Sequence, residues 1–205
     1  SKQGSKTMSY GLKIGFKINK KLSLQSGVTL VDVAYKIQNV FVNPSNQGFS
    51  KLSNVKYSKA TNILSVQSRD VPKNVRLETD SSISEKGVLN QEFGYIEIPL
   101  ELKYKINNSK KIGVNLIGGF SALVLNKNEV YVETSEFSSS LGEADNLNKV
   151  NFSGNFGIDV DYKINRSLYL NVAPMLKIHT STFSKNETNF KPYILGIYTG
   201  LNYKF

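Results

Sequence analysis

The stretch Gly94-Tyr95-Ile96-Glu97-Ile98-Pro99-Leu100-Glu101-Leu102-Lys103-Tyr104 decides the fold. Ile96, Ile98, Leu100, Leu102 and Tyr104 fall on one side of an extended chain, and Glu97, Glu101, Lys103 and Lys105 on the other. A repeat of two is the mark of a strand with one apolar face; a helix would repeat every 3.6 residues.

The same alternation recurs outward from this segment. Over residues 10–18, Tyr10, Leu12, Ile14, Phe16 and Ile18 oppose Gly11, Lys13, Gly15 and Lys17. Over 152–164, Phe152, Phe156, Ile158, Val160 and Tyr162 oppose Ser153, Asn155, Gly157, Asp159, Asp161 and Lys163. Residues 168–178 and 193–205 repeat the pattern, and the looser segments 22–35 and 112–125 bring the expected strands to seven. Polar turns at 19–21, 107–111 and 165–167 alternate with long links at 36–91, 126–149 and 181–191. Tight turns at one end and long loops at the other describe an up-and-down antiparallel meander, which closes into a barrel. An internal repeat agrees: Phe16-Lys-Ile-Asn19, Tyr104-Lys-Ile-Asn107 and Tyr162-Lys-Ile-Asn165 each end a strand at a short turn, and Tyr203-Lys-Phe205 ends the chain.

Composition removes several function classes. The 205 residues contain no Cys, so a disulfide scaffold, a thiolate zinc site and a Cys nucleophile are excluded. No apolar run reaches the length of a membrane-spanning helix. A formal charge of +10 invites a nucleic-acid partner. The lysines, however, lie at turns, in one loop and on a strand face shared with acids, so no nucleic acid is expected. No metal or cofactor is expected either.

Which way the apolar face points follows from the other face. It carries glycines and charges of both signs at mid-strand, while aromatics cluster at strand ends. That is the arrangement of an all-β transmembrane barrel, with an apolar outer band, an aromatic girdle and a polar lumen. Outer-membrane lipid is then the first expected partner. Tyr10, Phe16, Tyr104, Tyr162, Tyr203 and Phe205 are the expected girdle residues. Lys13, Lys17, Glu97, Glu101, Lys103, Asp159, Asp161, Lys177 and Lys204 are expected to form an interior charge network, because an unpaired buried charge is costly. At about eight strands the side chains just fill the interior, so the expectation is a plugged barrel without an open pore. Seven strands do not close an ordinary bacterial barrel, and the first strand is expected before Ser1. With no signal peptide visible, residues 1–205 read as a single barrel domain at the C-terminal end of a longer precursor.

The segments 94–104 and Ile112-Gly-Val-Asn-Leu-Ile-Gly-Gly-Phe120 resemble outer-membrane β-barrel proteins of Bacteroidota. The terminus Tyr198-Thr-Gly-Leu-Asn-Tyr-Lys-Phe205 resembles the signal read by the outer-membrane assembly machinery, with Leu201, Tyr203 and Phe205 as its marks. Met8-Ser-Tyr-Gly-Leu, Asn19-Lys-Lys-Leu-Ser-Leu-Gln-Ser-Gly27 and Lys191-Pro-Tyr-Ile-Leu-Gly-Ile-Tyr-Thr-Gly200 resemble the C-terminal barrel of dual-membrane-spanning anti-sigma factors. That likeness implies an N-terminal cytoplasmic domain holding a sigma factor, an inner-membrane helix and a periplasmic linker. It also implies the outer membrane of a Gram-negative cell and a non-enzymatic sensing or anchoring role in envelope stress. Two other readings stay open. A free-standing structural or adhesion barrel would carry a signal peptide just ahead of its first strand. A lipid-modifying barrel enzyme would use His179 with Ser and Asp.

For His179, beside Thr180 and Ser181, no catalytic spacing is recognisable, and a solvated or lumen histidine is the better reading. Asp159 and Asp161 share one face and read as ion-pair partners rather than a metal or acid–base pair. Gly118-Gly119 reads as small residues at a bend. The 36–91 link contains a possible hairpin, 52–57 with 63–66, and is net positive, whereas 126–149 is net negative. Opposite charge would let these links pack together or bind a partner.

Overall fold

The computed structural model describes residues 2–44, 55–57, 64–68, 85–145, 147–180 and 193–203. These residues contain strands and no helix. In chain order the strands are β1 (Lys2–Lys17), β2 (Leu22–Pro44), β3 (Val55–Tyr57), β4 (Leu64–Ser68), β5 (Glu85–Asn108), β6 (Ile112–Thr134), β7 (Ser138–Ala144), β8 (Val150–Lys163), β9 (Leu168–His179) and β10 (Tyr193–Tyr203). The main path of the sheet is β1-β2-β5-β6-β8-β9-β10, an up-and-down order in which each long strand lies beside the next. Of its pairs, β6·β8, β8·β9 and β9·β10 are antiparallel, with register running unbroken from Ile112↔Tyr162 to Val124↔Val150 and from Tyr193↔Ile178 to Tyr203↔Leu168. The fold is all-β and that of an outer-membrane barrel.

The repeated asparagine has a local physical cause. Asn19 Oδ1 accepts the backbone N–H groups of Lys21 and Leu22, both at 2.8 Å. Asn165 Oδ1 does the same for Ser167 and Leu168, at 2.9 and 2.8 Å. Such side-chain caps reproduce a backbone turn, so each hairpin is closed by its own sequence.

The chain divides into two compact units. The first comprises Ser1–Met8, Val31–Tyr95 and Leu125–Leu147, the second Ser9–Leu30, Ile96–Val124 and Asn148–Phe205. In the second unit the sheet is inside out. Leu12, Ile98, Leu100, Leu116, Phe156 and Leu195 are exposed, whereas Glu97, Glu101, Asn115, Asn155, Asp159 and Lys177 are buried. Among the described residues, all exposed large apolar residues except Met8 and Phe137 belong to this unit. Water would not leave such a band uncovered, and a bilayer does.

The first unit has the opposite polarity. Val31, Val33, Val40, Val42, Phe93, Val130, Val132 and Leu141 are buried, and Lys36, Lys86, Lys127 and Glu129 are exposed. Strands here run past the expected boundaries. β2, β5 and β6 have 23, 24 and 23 residues, about twice what a tilted transmembrane strand needs. Much of the 36–91 and 126–149 links is therefore strand rather than loop, because buried valines continue the alternation there. The expected hairpin of 52–57 with 63–66 is corrected: β3 pairs with β7, and β4 pairs with β2. The pairing β3·β7 joins the two oppositely charged links and sets Lys56 across from Glu143. On β6 the residues Val130/Tyr131 form a bulge against β7, and Gly142 there has φ 132°, a conformation that a side chain would strain. The 181–191 loop lies outside the described residues.

Candidate functional site

Alternation places one residue in two from each strand on the polar face of the second unit. Glu97, Glu101 and Lys103 come from β5, Ser121 and Asn115 from β6, Asn155, Asp159 and Asp161 from β8, and Lys177 and His179 from β9. Lys177 Nζ contacts both oxygens of Glu97 at 2.7 Å, although β9 and β5 are three places apart in the sheet. Neighbouring strands are spaced about 4.8 Å apart, so a flat sheet would hold these side chains too far apart. The sheet of this unit therefore curls over its polar face.

The polar side chains form two hydrogen-bonded sets. Ser121 Oγ donates to Glu97 at 2.6 Å, and Asn155 Nδ2 donates to Ser121 Oγ at 2.6 Å and to Glu101 at 3.1 Å. Glu101 also receives Lys13 Nζ at 2.7 Å and Gln25 Nε2 at 2.8 Å. Nearer the tight turns, Lys103 pairs with Asp159 and, at 2.9 Å, with Asp161. Asn115 donates to both aspartates, and Asn171 donates to Asp159 at 2.9 Å. Lys177 also stands 4.8 Å from the centre of the Tyr198 ring. Glu97 and Glu101 are 1% exposed and Asp159 0%, so each carboxylate depends on these donors instead of water. An apolar cluster of Ile117, Ala173 and Met175, with Tyr198 packed on it, fills further space on the same face.

Of the residues expected in a charge network, the structure joins Lys13 with Glu101, Lys177 with Glu97, and Lys103 with Asp159 and Asp161. Lys17 is exposed at the turn end of β1, and Lys204 lies outside the described residues. The neutral connectors Gln25, Ser121, Asn115 and Asn155 were not singled out by sequence, although they share the face of the charged residues. Tyr10, Phe16, Tyr104, Tyr162 and Tyr203 are all exposed, and Phe205 lies outside the described residues. Phe120, Phe152 and Tyr193 are further exposed aromatics, the last two at the long-loop starts of β8 and β10.

His179 is buried, with Nδ1 3.4 Å from Asn151 Nδ2 and no hydrogen-bond partner for Nε2. Among the described residues no serine or carboxylate bonds to its ring, so no nucleophile–base relay is assembled there. Asp159 and Asp161 are both taken by Lys103, and no group of three or more metal-ligating side chains is found among the described residues. Gly119 sits against Leu100 O, where a Cβ has no room, whereas Gly118 faces open space. Close approach of strands explains the first glycine.

The first unit holds a separate polar cluster, on the parts of β5 and β6 that lack the exposed apolar pattern. Glu92 accepts Lys127 Nζ at 2.8 Å and Tyr131 OH at 2.7 Å. These two donors hold the Glu92 carboxyl below its usual range, and the hydrogen bond to Glu92 pushes Tyr131 up to about 12.

A family model described as "Outer membrane protein beta-barrel domain" matches residues 1–173. No protein of curated function matches the chain, and no solved structure does.

Proposed function

The chain belongs to the outer membrane protein beta-barrel domain family, and from that premise we propose that it is the sensing and anchoring barrel of an envelope-stress anti-sigma factor. The anti-sigma role is supported by the resemblance of residues 8–12, 19–27 and 191–200 to the barrels of that group. The observation that carries a non-transporting role is the interior network from Lys13 through Glu101, Asn155, Ser121 and Glu97 to Lys177, which occupies the polar face with paired side chains. A barrel filled this way anchors and signals; it does not conduct. The first unit offers a polar surface for a ligand, lipid headgroup or partner protein. Its engagement alters barrel assembly or tension on an upstream linker, which releases the sigma factor. Partners under this reading are outer-membrane lipid, the assembly machinery acting through Leu201, Tyr203 and Phe205, and a sigma factor held by an upstream domain.

The test has two parts. Purified protein in planar bilayers should show no stable large conductance, and porin-like channels would remove the plugged barrel. Deleting the barrel from the full-length gene product should change sigma-dependent transcription. Unchanged transcription would remove the sensing role and leave a structural or adhesion barrel.

A further inference from the structure

The first unit contains an open cleft of about 410 Å³, a volume within the range of ordinary small-molecule sites. Gln38 of β2, Lys86 and Val88 of β5, and Glu133, Thr134 and Ser135 at the end of β6 and just past it line the cleft.

Glu133 is exposed, yet it is held from three sides. Its carboxylate accepts Asn90 Nδ2 at 2.9 Å. Asn90 itself is 2% exposed, and its Oδ1 has no hydrogen-bond partner among the described residues. A buried amide oxygen left unpaired is costly, and here that cost accompanies an amide donor set against Glu133. The backbone is fixed as well. A Cβ at Gly87 would lie 2.9 Å from Glu133 O, so only glycine lets β5 pass this close. Next in sequence, Thr134 N donates to Phe137 O at 2.9 Å and Phe137 N donates to Thr134 Oγ1 at 3.1 Å, which locks the turn beyond the cleft.

The two charges lining the cleft do not neutralise each other. Lys86 and Glu133 form no ion pair, and neither meets an opposite charge elsewhere among the described residues. On the same two strands Lys127 and Glu92 do pair, at 2.8 Å. A simple anion would be drawn to Lys86 and repelled by Glu133, and a simple cation the reverse. A neutral ligand would desolvate both charges without compensating either. A ligand carrying both signs satisfies both.

We propose that this cleft binds a small zwitterion, with its ammonium on the Glu133 carboxylate, its carboxylate or phosphate oxyanion on the Lys86 ammonium, and its spacer against Val88. Two sources share this chemistry: a short peptide with free termini, and a phosphoethanolamine headgroup. The site gives the sensing surface of the proposed function a definite ligand class. It rests on that reading for the consequence of binding and not for binding itself.

The test is isothermal titration of the full-length protein, folded in detergent micelles, with glycylglycine and with phosphoethanolamine. Ethanolamine and inorganic phosphate serve as probes of a single sign. At least one zwitterion should bind, and both single-sign probes should bind it roughly tenfold more weakly or worse. Tighter binding of phosphoethanolamine identifies the headgroup source, and tighter binding of glycylglycine the peptide source. Lys86→Met and Glu133→Gln should each weaken the zwitterion by roughly 10- to 100-fold, the loss of one charge-assisted hydrogen bond. Both side chains are exposed, and heat-modifiable gel migration checks that each variant is folded. No binding of either zwitterion, equal binding of a single-sign probe, or variants that bind as wild type would overturn the proposal. Zwitterion binding with sigma-dependent transcription unchanged by deletion of the barrel would uphold the site and remove only the sensing role.

Discussion

Replacing Lys177 by Met removes one half of the most buried ion pair among the described residues. Glu97 would then sit 1% exposed with only the Ser121 hydroxyl at 2.6 Å to stabilise its charge. Breaking a buried pair from one side costs about 3–5 kcal/mol, because the remaining charge is left without compensation. Glu97→Gln should cost less. Lys177 then retains the Tyr198 ring at 4.8 Å, a cation–π contact of roughly 0.5–2 kcal/mol. The double variant K177M/E97Q leaves no unpaired charge and should recover most of the loss. The assay is urea unfolding of protein folded into lipid vesicles, extrapolated to zero denaturant for each of the four proteins. Were this face solvated, the pair would be worth only about 0–1 kcal/mol and both single variants would be near wild type. That result, or a double variant no more stable than K177M, would refute the reasoning.

Gly119→Ala should destabilise the protein by about 1–3 kcal/mol through overpacking against Leu100 O, while Gly118→Ala should be close to neutral; the same urea titration separates them. On the lipid side Ile158→Arg should cost about 2–4 kcal/mol, whereas Glu129→Arg in the first unit should stay within roughly 0.5 kcal/mol. Tyr131 should ionise near 12, read by phenolate absorbance, and return towards its ordinary value in Glu92→Gln. Because its folded value is raised, the stability it contributes is complete below the ordinary tyrosine value near 10 and is lost as pH rises through about 12. Glu92 has the opposite sign: its folded value is lowered, so its contribution is present above the ordinary glutamate value and lost as pH falls through the depressed one. Removing Phe205 should reduce recovery of heat-modifiable barrel in outer-membrane fractions without changing synthesis.

The alternation of residues 96–104 and 152–162 carried the fold because each strand there has one side free of polar side chains and no competing period. The same rule failed to place the ends of β2, β5 and β6. Around Lys36–Gln38 and Asn126–Asn128 the outward positions become polar, so the pattern changes from inside out to that of an ordinary water-facing strand. β7 opens on Ser138-Ser139-Ser140 and offers almost no apolar signal. Its partner β3 lies some eighty residues earlier in the chain, a pairing that no local pattern encodes. The charged residues of the network share a face by periodicity alone, which made them legible. Which lysine meets which acid depends on the curl that carries Lys177 of β9 to Glu97 of β5, and that is a property of the folded sheet. The roles of Ser121 and Asn155 follow the same rule: a neutral side chain gains its importance only from the carboxylates it reaches.

The inverted polarity of the second unit is the claim on which everything else depends, and β9 allows it to be measured residue by residue. Single cysteines at Leu170, Asn171, Val172, Ala173, Leu176 and Met175 would each carry a nitroxide in protein folded into lipid bilayers. Collision with oxygen reports contact with acyl chains. The buried positions Ala173 and Met175 and the half-buried Asn171 should be inaccessible, while Leu170, Val172 and Leu176 should show high oxygen accessibility, giving a period of two. High accessibility at Ala173 and Met175 with protection at Leu170 and Val172, or no alternation at all, would contradict the account.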